Sequence, residues 1–308
     1  ATGEAIHGIA RLLFPSLVSP VAATAILEVV PLPGALRERV TVAKGVEFAS
    51  IDVDGERCRF TSSRALELCP WVLDEARIEM ATNGRQQLRF EISVPQGMPL
   101  AQVGSDRLRV HFSGEVPTAM GMVAWLVEHA EAVTVSFGDR NVELGKQSVH
   151  HVGLEEDDEL MPKAASSFPG FRILEEYHVL PAKFAFVDFV GLMRVFESEP
   201  KASRFALTVR FDAMLPPEVR ATRELFKLHC VPIVNIFPTT TEPLRLGPDH
   251  EEYLLRAAGL SPAHGEVYSI LKVQAIERGT SARIEIPSFY DFSTLRTAPM
   301  GKLYVPQL

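Results

Sequence analysis

Cysteine is scarce: three residues among 308, an odd number too small for a disulfide framework. Cys58 and Cys69 could pair in principle, whereas Cys230 lies in an apolar run and reads as a buried thiol, so a reducing compartment is expected. Positive charge is not in excess. There are 31 Lys and Arg against 39 Asp and Glu, a net charge of −8, without the basic stripe that a nucleic-acid partner requires. No apolar run approaches the roughly 18 residues of a membrane span, so a membrane-embedded chain is not expected. The chain begins Ala1-Thr2-Gly3, without an initiator Met or a basic stretch leading into an apolar segment, and does not read as an uncleaved secretory precursor. It runs to Leu308 through the extended-looking Leu303-Tyr304-Val305-Pro306, and both ends read as cuts.

Signatures of catalysis are also missing. The sequence contains no Gly-x-x-x-x-Gly-Lys-Ser/Thr phosphate loop, no Gly-x-Gly-x-x-Gly opening a helix and no Gly-x-Ser-x-Gly elbow. His150-His151 beside an acidic run is the most metal-like feature, but neighbours on a strand point to opposite faces and rarely meet one ion. His250-Glu251-Glu252 lacks the second His that a zinc-protease helix places four residues on. His229 beside Cys230 could suggest an activated thiol, yet the apolar Val231–Phe237 run would raise a thiol pKa rather than lower it. Asp52 and Asp54 flank a turn, where paired carboxylates are common without acid–base work. No catalytic, cofactor-binding or metal-ligating residue is assigned, and no cofactor is expected.

What is present is alternation. Leu88, Phe90, Ile92 and Val94 are apolar with polar residues between them, and the pattern recurs at Leu108-Val110-Phe112, Val133-Val135-Phe137 and Phe205-Leu207-Val209-Phe211. Side chains on a strand alternate between faces, so each run predicts a half-buried antiparallel strand with one wet face. Asp54-Gly55 and Asn83-Gly84 predict tight hairpin turns. Ala119, Met122, Val123, Leu126, Val127 and Ala130 recur at helical spacing and predict a helix over 118–131 with Thr118 as its N-cap after Pro117, packed across a sheet. Weaker helices are predicted over Pro217–Lys227 and His250–Ala258, and Glu4–Leu13 reads as the tail of another. The fold class is therefore α+β, predominantly β, with antiparallel sheets in a sandwich or barrel-like arrangement and a few packed helices.

Two domains are expected. Glu155-Glu156-Asp157-Asp158-Glu159 followed by Pro162 reads as a solvated linker, because adjacent carboxylates repel one another. This puts a β-rich domain at 1–152, an acidic linker at 153–167 and a second β-rich domain at 168–308. Phe168 to Phe196 holds seven of the chain's 25 aromatic residues, namely Phe168, Phe171, Tyr177, Phe184, Phe186, Phe189 and Phe196. They read either as core or as a patch that docks a partner, since aromatics are enriched in interface cores.

The same stretch carries a family resemblance. Glu176-Tyr177-His178-Val179-Leu180-Pro181-Ala182-Lys183-Phe184-Ala185-Phe186-Val187-Asp188-Phe189-Val190-Gly191-Leu192 resembles the Glu-Tyr-Phe-x-x-Pro-x-Lys-Phe-x-Phe-Phe-x-x-x-Gly-Leu stretch of the TssF family, also called VasA or ImpG. Leu228-His229-Cys230-Val231-Pro232-Ile233-Val234-Asn235-Ile236-Phe237, then Glu242-Pro243-Leu244-Arg245-Leu246, resembles a second block of that family, with His229 where Asn is usual. Phe14-Pro15 with Pro20, Lys44-Gly45 and Cys58-Arg59-Phe60-Thr61 fit in order. The resemblance implies a central fragment of a longer, non-enzymatic baseplate wedge subunit of the type VI secretion system, a contractile injection machine related to phage tails. It implies a cytoplasmic protein that joins TssG, TssK and a second TssF copy around the spike hub, supports the sheath and is linked only indirectly to the membrane complex. Tyr177, Phe184, Phe186, Phe189, Asn235 and Phe237 are the expected partner or domain-junction contacts. From the residues alone, a β-rich carbohydrate-binding module or hydrolase remains the alternative.

Overall fold

The computed structural model describes residues 20–32, 34–81, 83–95, 97–162, 169–215, 222–247, 252–261, 263–276 and 283–287. Its contacts divide the chain into two units, Ala1–Val53 with Arg57–Phe237, and Asp54–Glu56 with Pro238–Leu308. The helix expected over Glu4–Leu13 lies outside the described residues.

The strands are β1 (Thr24–Glu28), β2 (Val40–Val42), β3 (Glu47–Val53), β4 (Glu56–Ser62), β5 (Leu66–Leu68), β6 (Val72–Met80), β7 (Gln86–Ser93), β8 (Arg107–Phe112), β9 (Ala130–Phe137), β10 (Arg140–Glu143), β11 (Val149–Val152), β12 (Phe186–Val190), β13 (Arg204–Phe211), β14 (Phe226–Lys227) and β15 (Cys230–Val234). The helices are α1 (Leu100–Val103), α2 (Val116–His129), α3 (Pro169–Val179) and α4 (Leu192–Glu197). The strands form antiparallel sheets in the orders β10-β9-β13-β7-β6, β11-β12-β8-β14, β1-β15-β4-β3 and β2-β5. The α+β, predominantly β class is what the alternation predicted.

The four alternating runs become β7, β8, β9 and β13. Their inward sets (Leu88, Phe90 and Ile92; Leu108, Val110 and Phe112; Val133 and Val135; Phe205, Leu207, Val209 and Phe211) join one hydrophobic core. Met122, Val123, Trp125 and Leu126 of α2 and Val187 and Phe189 of β12 complete it. Phe90 is the hub, edge-on to Phe189 at 5.9 Å and to Phe226 at 5.1 Å between centroids. The N-cap of α2 is Glu115, three residues before the expected Thr118, with Pro117 in the first turn, where its missing N–H is harmless.

The turns divide. Asp54 and Gly55 both adopt positive φ, 53° and 88°, as a two-residue hairpin between β3 and β4 demands. Of Asn83 and Gly84, between β6 and β7, Gly84 alone does so, and Asn83 instead uses its side-chain oxygen to accept the Arg85 N–H.

The boundary expected at 153–167 falls inside the first unit. β11 and β8, which precede it, both pair with β12, which follows it, and β13 lies between β7 and β9. The carboxylate run is exposed at Glu155, Glu156 and Asp157 but is not a spacer. Glu156–Asp158 form a 3-10 turn, the Asp158 carboxylate accepts the Gly153 N–H at 3.0 Å, and Leu160 and Met161 are buried just beyond it. The division comes instead at Phe237/Pro238.

Two helix expectations also fail. Arg223–Leu225 is a 3-10 turn running into β14, with 216–221 outside the described residues. Residues 252–256 are not helical, and Ala257 forms a β-bridge with Thr241. Gly259, at a positive φ of 77°, ends the stretch right after Ala258, and the segment from His250 is too short for a stable isolated helix. The second unit also holds the antiparallel pair β16 (Val273–Ile276) and β17 (Arg283–Ile286).

Candidate interaction surface and the charge network beneath it

Strand alternation puts chemistry on the second face of the β11-β12-β8-β14 sheet. On β12, Val187 and Phe189 point to the main core, so Phe186 and Asp188 take the other face; on β8 that face receives Arg107, Arg109 and His111. This face is covered rather than wet. Asp188 and His111 are buried, the reverse of the half-solvated strand that alternation predicts.

Burying ions is favourable only when they are paired and their remaining donors are satisfied. Arg109 grips Asp188 bidentately, at 2.7 and 2.8 Å, in the fork geometry that suits a guanidinium and a carboxylate. Arg107 Nη1 approaches the same carboxylate at 3.6 Å and its Nη2 donates to Glu67 Oε1 at 2.9 Å. The Ser105 hydroxyl donates to the other Glu67 oxygen, and although burial opposes it, these donors hold the Glu67 carboxyl below its ordinary range. Arg64 lies 4.3 Å above the Phe186 ring and donates to Asp158 at 3.3 Å. Burial and the neighbouring Arg109 charge pull the Arg64 guanidinium down to about 10. His111 packs 4.4 Å from Phe186 and donates from Nε2 to the Ala182 carbonyl at 3.2 Å. Burial drives its imidazole down to about 4, so it is neutral at pH 7.

The family-like motif supplies the anchor of α3. Glu176 and Lys183 are both 0% exposed and form a direct ion pair. The other Glu176 oxygen accepts the Leu160 N–H at 2.7 Å. Burial lowers the Lys183 pKa against the opposing pull of Glu176. One turn earlier on the helix, Arg172 donates to the Leu154 and Glu155 carbonyls, both at 3.1 Å. Charged side chains thus clamp the inner side of α3 to the acidic turn. Its outer side presents Leu174, 60% exposed, and Tyr177, 42% exposed.

The expected contact residues separate accordingly. Phe184, Phe186 and Phe189 are buried inside the first unit and cannot touch a partner; their rings are core, because the sheet is covered on both faces. Tyr177 is at the surface, its ring 6.0 Å from that of Phe184. Asn235 donates from its side chain to the Arg59 carbonyl at 2.9 Å and from its backbone to that of Ala23 at 2.8 Å. Half-buried Phe237 lies under the Arg59 guanidinium, 4.0 Å from the ring centroid. The two segments meet where Val179 and Leu180, after Tyr177, pack with Leu160, Met161, Val234 and Ile236.

Sequence reasoning missed the Glu176–Lys183 pair, although both residues stood in the motif. A Lys between Pro181-Ala182 and a run of aromatics was the available signal of burial. His229 takes a positive φ of 53°, in the left-handed region that Asn and His enter more readily than most residues, which explains how it substitutes for Asn there. Its Nε2 accepts the Cys69 N–H at 3.3 Å. Cys69 and Cys230 are buried free thiols pushed up to about 12, chiefly by burial, and Cys58 is an exposed free thiol. Among the described residues no group of three His, Cys, Asp or Glu side chains is placed to hold a metal ion, and no helix is long and apolar enough to cross a membrane.

A family model described as "Type VI secretion system, TssF" matches residues 3–304. The type VI secretion system component TssF1 of Pseudomonas aeruginosa is 25% identical over 290 residues, covering 87% of this chain and 46% of that protein. A cryo-electron microscopy structure of a type VI secretion system TssK-TssF-TssG baseplate subcomplex contains a chain that superposes with a TM-score of 0.82 at 26% identity, covering 94% of this chain and 56% of that one. The chain thus spans about half the length of the relatives it matches.

Proposed function

This chain belongs to the type VI secretion system TssF family, and from that premise we propose that it is part of a baseplate wedge subunit that works by contact rather than by bond-making. The observation that carries the reading is the 0.82 TM-score over 94% of the chain to a protein held in a TssK-TssF-TssG subcomplex. On this reading TssG and TssK are its direct partners. A second TssF copy, the spike hub and the sheath complete its surroundings in the cytoplasm, with the membrane complex reached through TssK. No catalytic role is assigned.

Physical organisation supports the reading. The buried ions are tied to one another, an arrangement that stiffens a unit instead of presenting reactive groups to a substrate. The exposed Leu174 and Tyr177 stand on a helix whose inner side is anchored by a buried ion pair, which offers a partner a surface already fixed in place. Tyr177 and Leu174 are proposed as partner contacts, and Asn235 and Phe237 as residues of the junction that closes the first unit. A sugar-binding sheet would expose a row of rings; here the strand aromatics Phe90, Phe112, Phe186, Phe189, Phe205 and Phe211 are buried, and Phe48, Phe60 and Phe137 are half-buried against the cores.

The test is co-expression of the full-length protein with TssG and TssK from the same organism, followed by affinity purification and native mass spectrometry. A stable complex containing all three is expected. Recovery of this protein alone, with TssG and TssK forming their own complex, would overturn the reading.

A further inference from the structure

A second surface feature lies apart from α3. A cavity of about 200 Å³ opens between the end of β1, the start of β6 and the Arg223–Leu228 segment. Its walls are apolar, with Trp71, Leu73, Phe226 and Leu228 among them, and Val30, Leu32 and Val72 at its edge are 73%, 75% and 52% exposed. A cavity of roughly 150 Å³ with such walls accepts a benzene ring, so this one has room for one large apolar side chain. Scattered exposed apolar residues are ordinary, but three gathered around a concave apolar site mark a recognition surface.

The charges at the cavity decide which partner it suits. Four lining residues are ionisable: Glu28, Arg223, Lys227 and His229. Lys227 is paired with Glu28 at 3.3 Å. His229 is kept neutral at pH 7 by burial, with its pKa down at about 4. Among the described residues the remaining charge lining the cavity without an ion-pair partner is Arg223, which is exposed, follows Thr222 and precedes the Glu224 carboxylate that feels its charge, and is held in place by a hydrogen bond from Nη2 to the Leu73 carbonyl at 2.9 Å. A guanidinium fixed beside an apolar slot favours a carboxylate next to the side chain that enters.

We propose that this cavity docks a partner protein segment in which a large apolar side chain is flanked by carboxylates, the side chain filling the slot and a carboxylate meeting Arg223. The site is independent of the α3 surface and does not require the baseplate reading.

The full-length protein labelled with 5-fluorotryptophan provides the test, with the Trp71 resonance assigned as the one lost in Trp71→Phe. The probes are acetyl-Asp-Phe-Asp-amide and its neutral counterpart acetyl-Asn-Phe-Asn-amide. The acidic peptide is expected to shift the Trp71 resonance saturably while that of Trp125 stays in place. The neutral peptide should bind about two- to fivefold more weakly, the range of one exposed charge pair. Arg223→Gln should abolish that preference and leave binding of the neutral peptide intact; Leu32→Glu should weaken the acidic peptide most. No Trp71 response up to about 10 mM peptide, equal binding of the two peptides, or an undiminished preference in Arg223→Gln would overturn the proposal.

Discussion

Removing the ammonium of Lys183 while keeping its aliphatic stem, as in Lys183→Met, would leave the Glu176 carboxylate inside a site from which both side chains exclude water completely. Glu176 would keep the Leu160 N–H at 2.7 Å, and its nearest remaining cation would be Arg172, with Nη1 at 4.0 Å. One hydrogen bond and one distant guanidinium do not compensate a buried charge, so the loss should be about 3–5 kcal/mol, as for other buried pairs broken on one side. Glu176→Gln alone should cost a similar amount by stranding the ammonium. The double variant should be less damaging than the sum of the two, because neither site then holds an unpaired charge. Urea unfolding followed by tryptophan emission reads this, since Trp71 and Trp125 are both buried in the first unit. The expected coupling is about 2 kcal/mol or more in the compensating direction. Additivity within about 0.5 kcal/mol would refute the reasoning, because that is how independent sites behave.

Two further outcomes follow from the same core. His111 and His229 are both depressed from 6.5 to about 4 by burial. Below pH 6.5 the unfolded chain takes up their protons before the folded one does, so their contribution is complete above 6.5 and is lost as pH falls towards 4. The slope in that window is up to about 1.4 kcal/mol per pH unit for each histidine, and His111→Gln should flatten it in urea unfolding measured from pH 7 to 4. Phe189→Ala, deleting a ring from the centre of the core, should cost about 3–5 kcal/mol, whereas Tyr177→Ala should leave the unfolding midpoint nearly unchanged and weaken recovery of the TssG and TssK complex. Equal stability losses for the two variants would contradict their assignment to core and surface.

Most of the β framework was legible because period-two alternation reports one buried face directly, as at Leu88-Phe90-Ile92 and Phe205-Leu207-Val209. Whether the opposite face is wet depends on what later folds across it. Arg107, Arg109 and His111 on β8 look like a solvent face until Arg64, Glu67, Asp158 and Asp188 arrive from elsewhere in the chain. For the same reason the acidic run misled. Asp158 repels its neighbours locally, and its attraction to Arg64, 94 positions away in sequence, is a tertiary fact. The motif with Glu176, Lys183 and Phe186 identified the family, but charge in an aromatic stretch was not read as a buried pair. The slot beside Trp71 left no local signal, since its lining comes from separate segments around Glu28, Trp71 and Phe226.

The most direct measurement is a cryo-electron microscopy map of the full-length protein reconstituted with TssG and TssK. The account predicts that the first unit appears with its backbone changed by no more than about 1 Å, as in pre-organised complexes, with partner density against Leu174 and Tyr177. A unit rearranged in the complex, or one whose α3 face stands free of every partner, would contradict it.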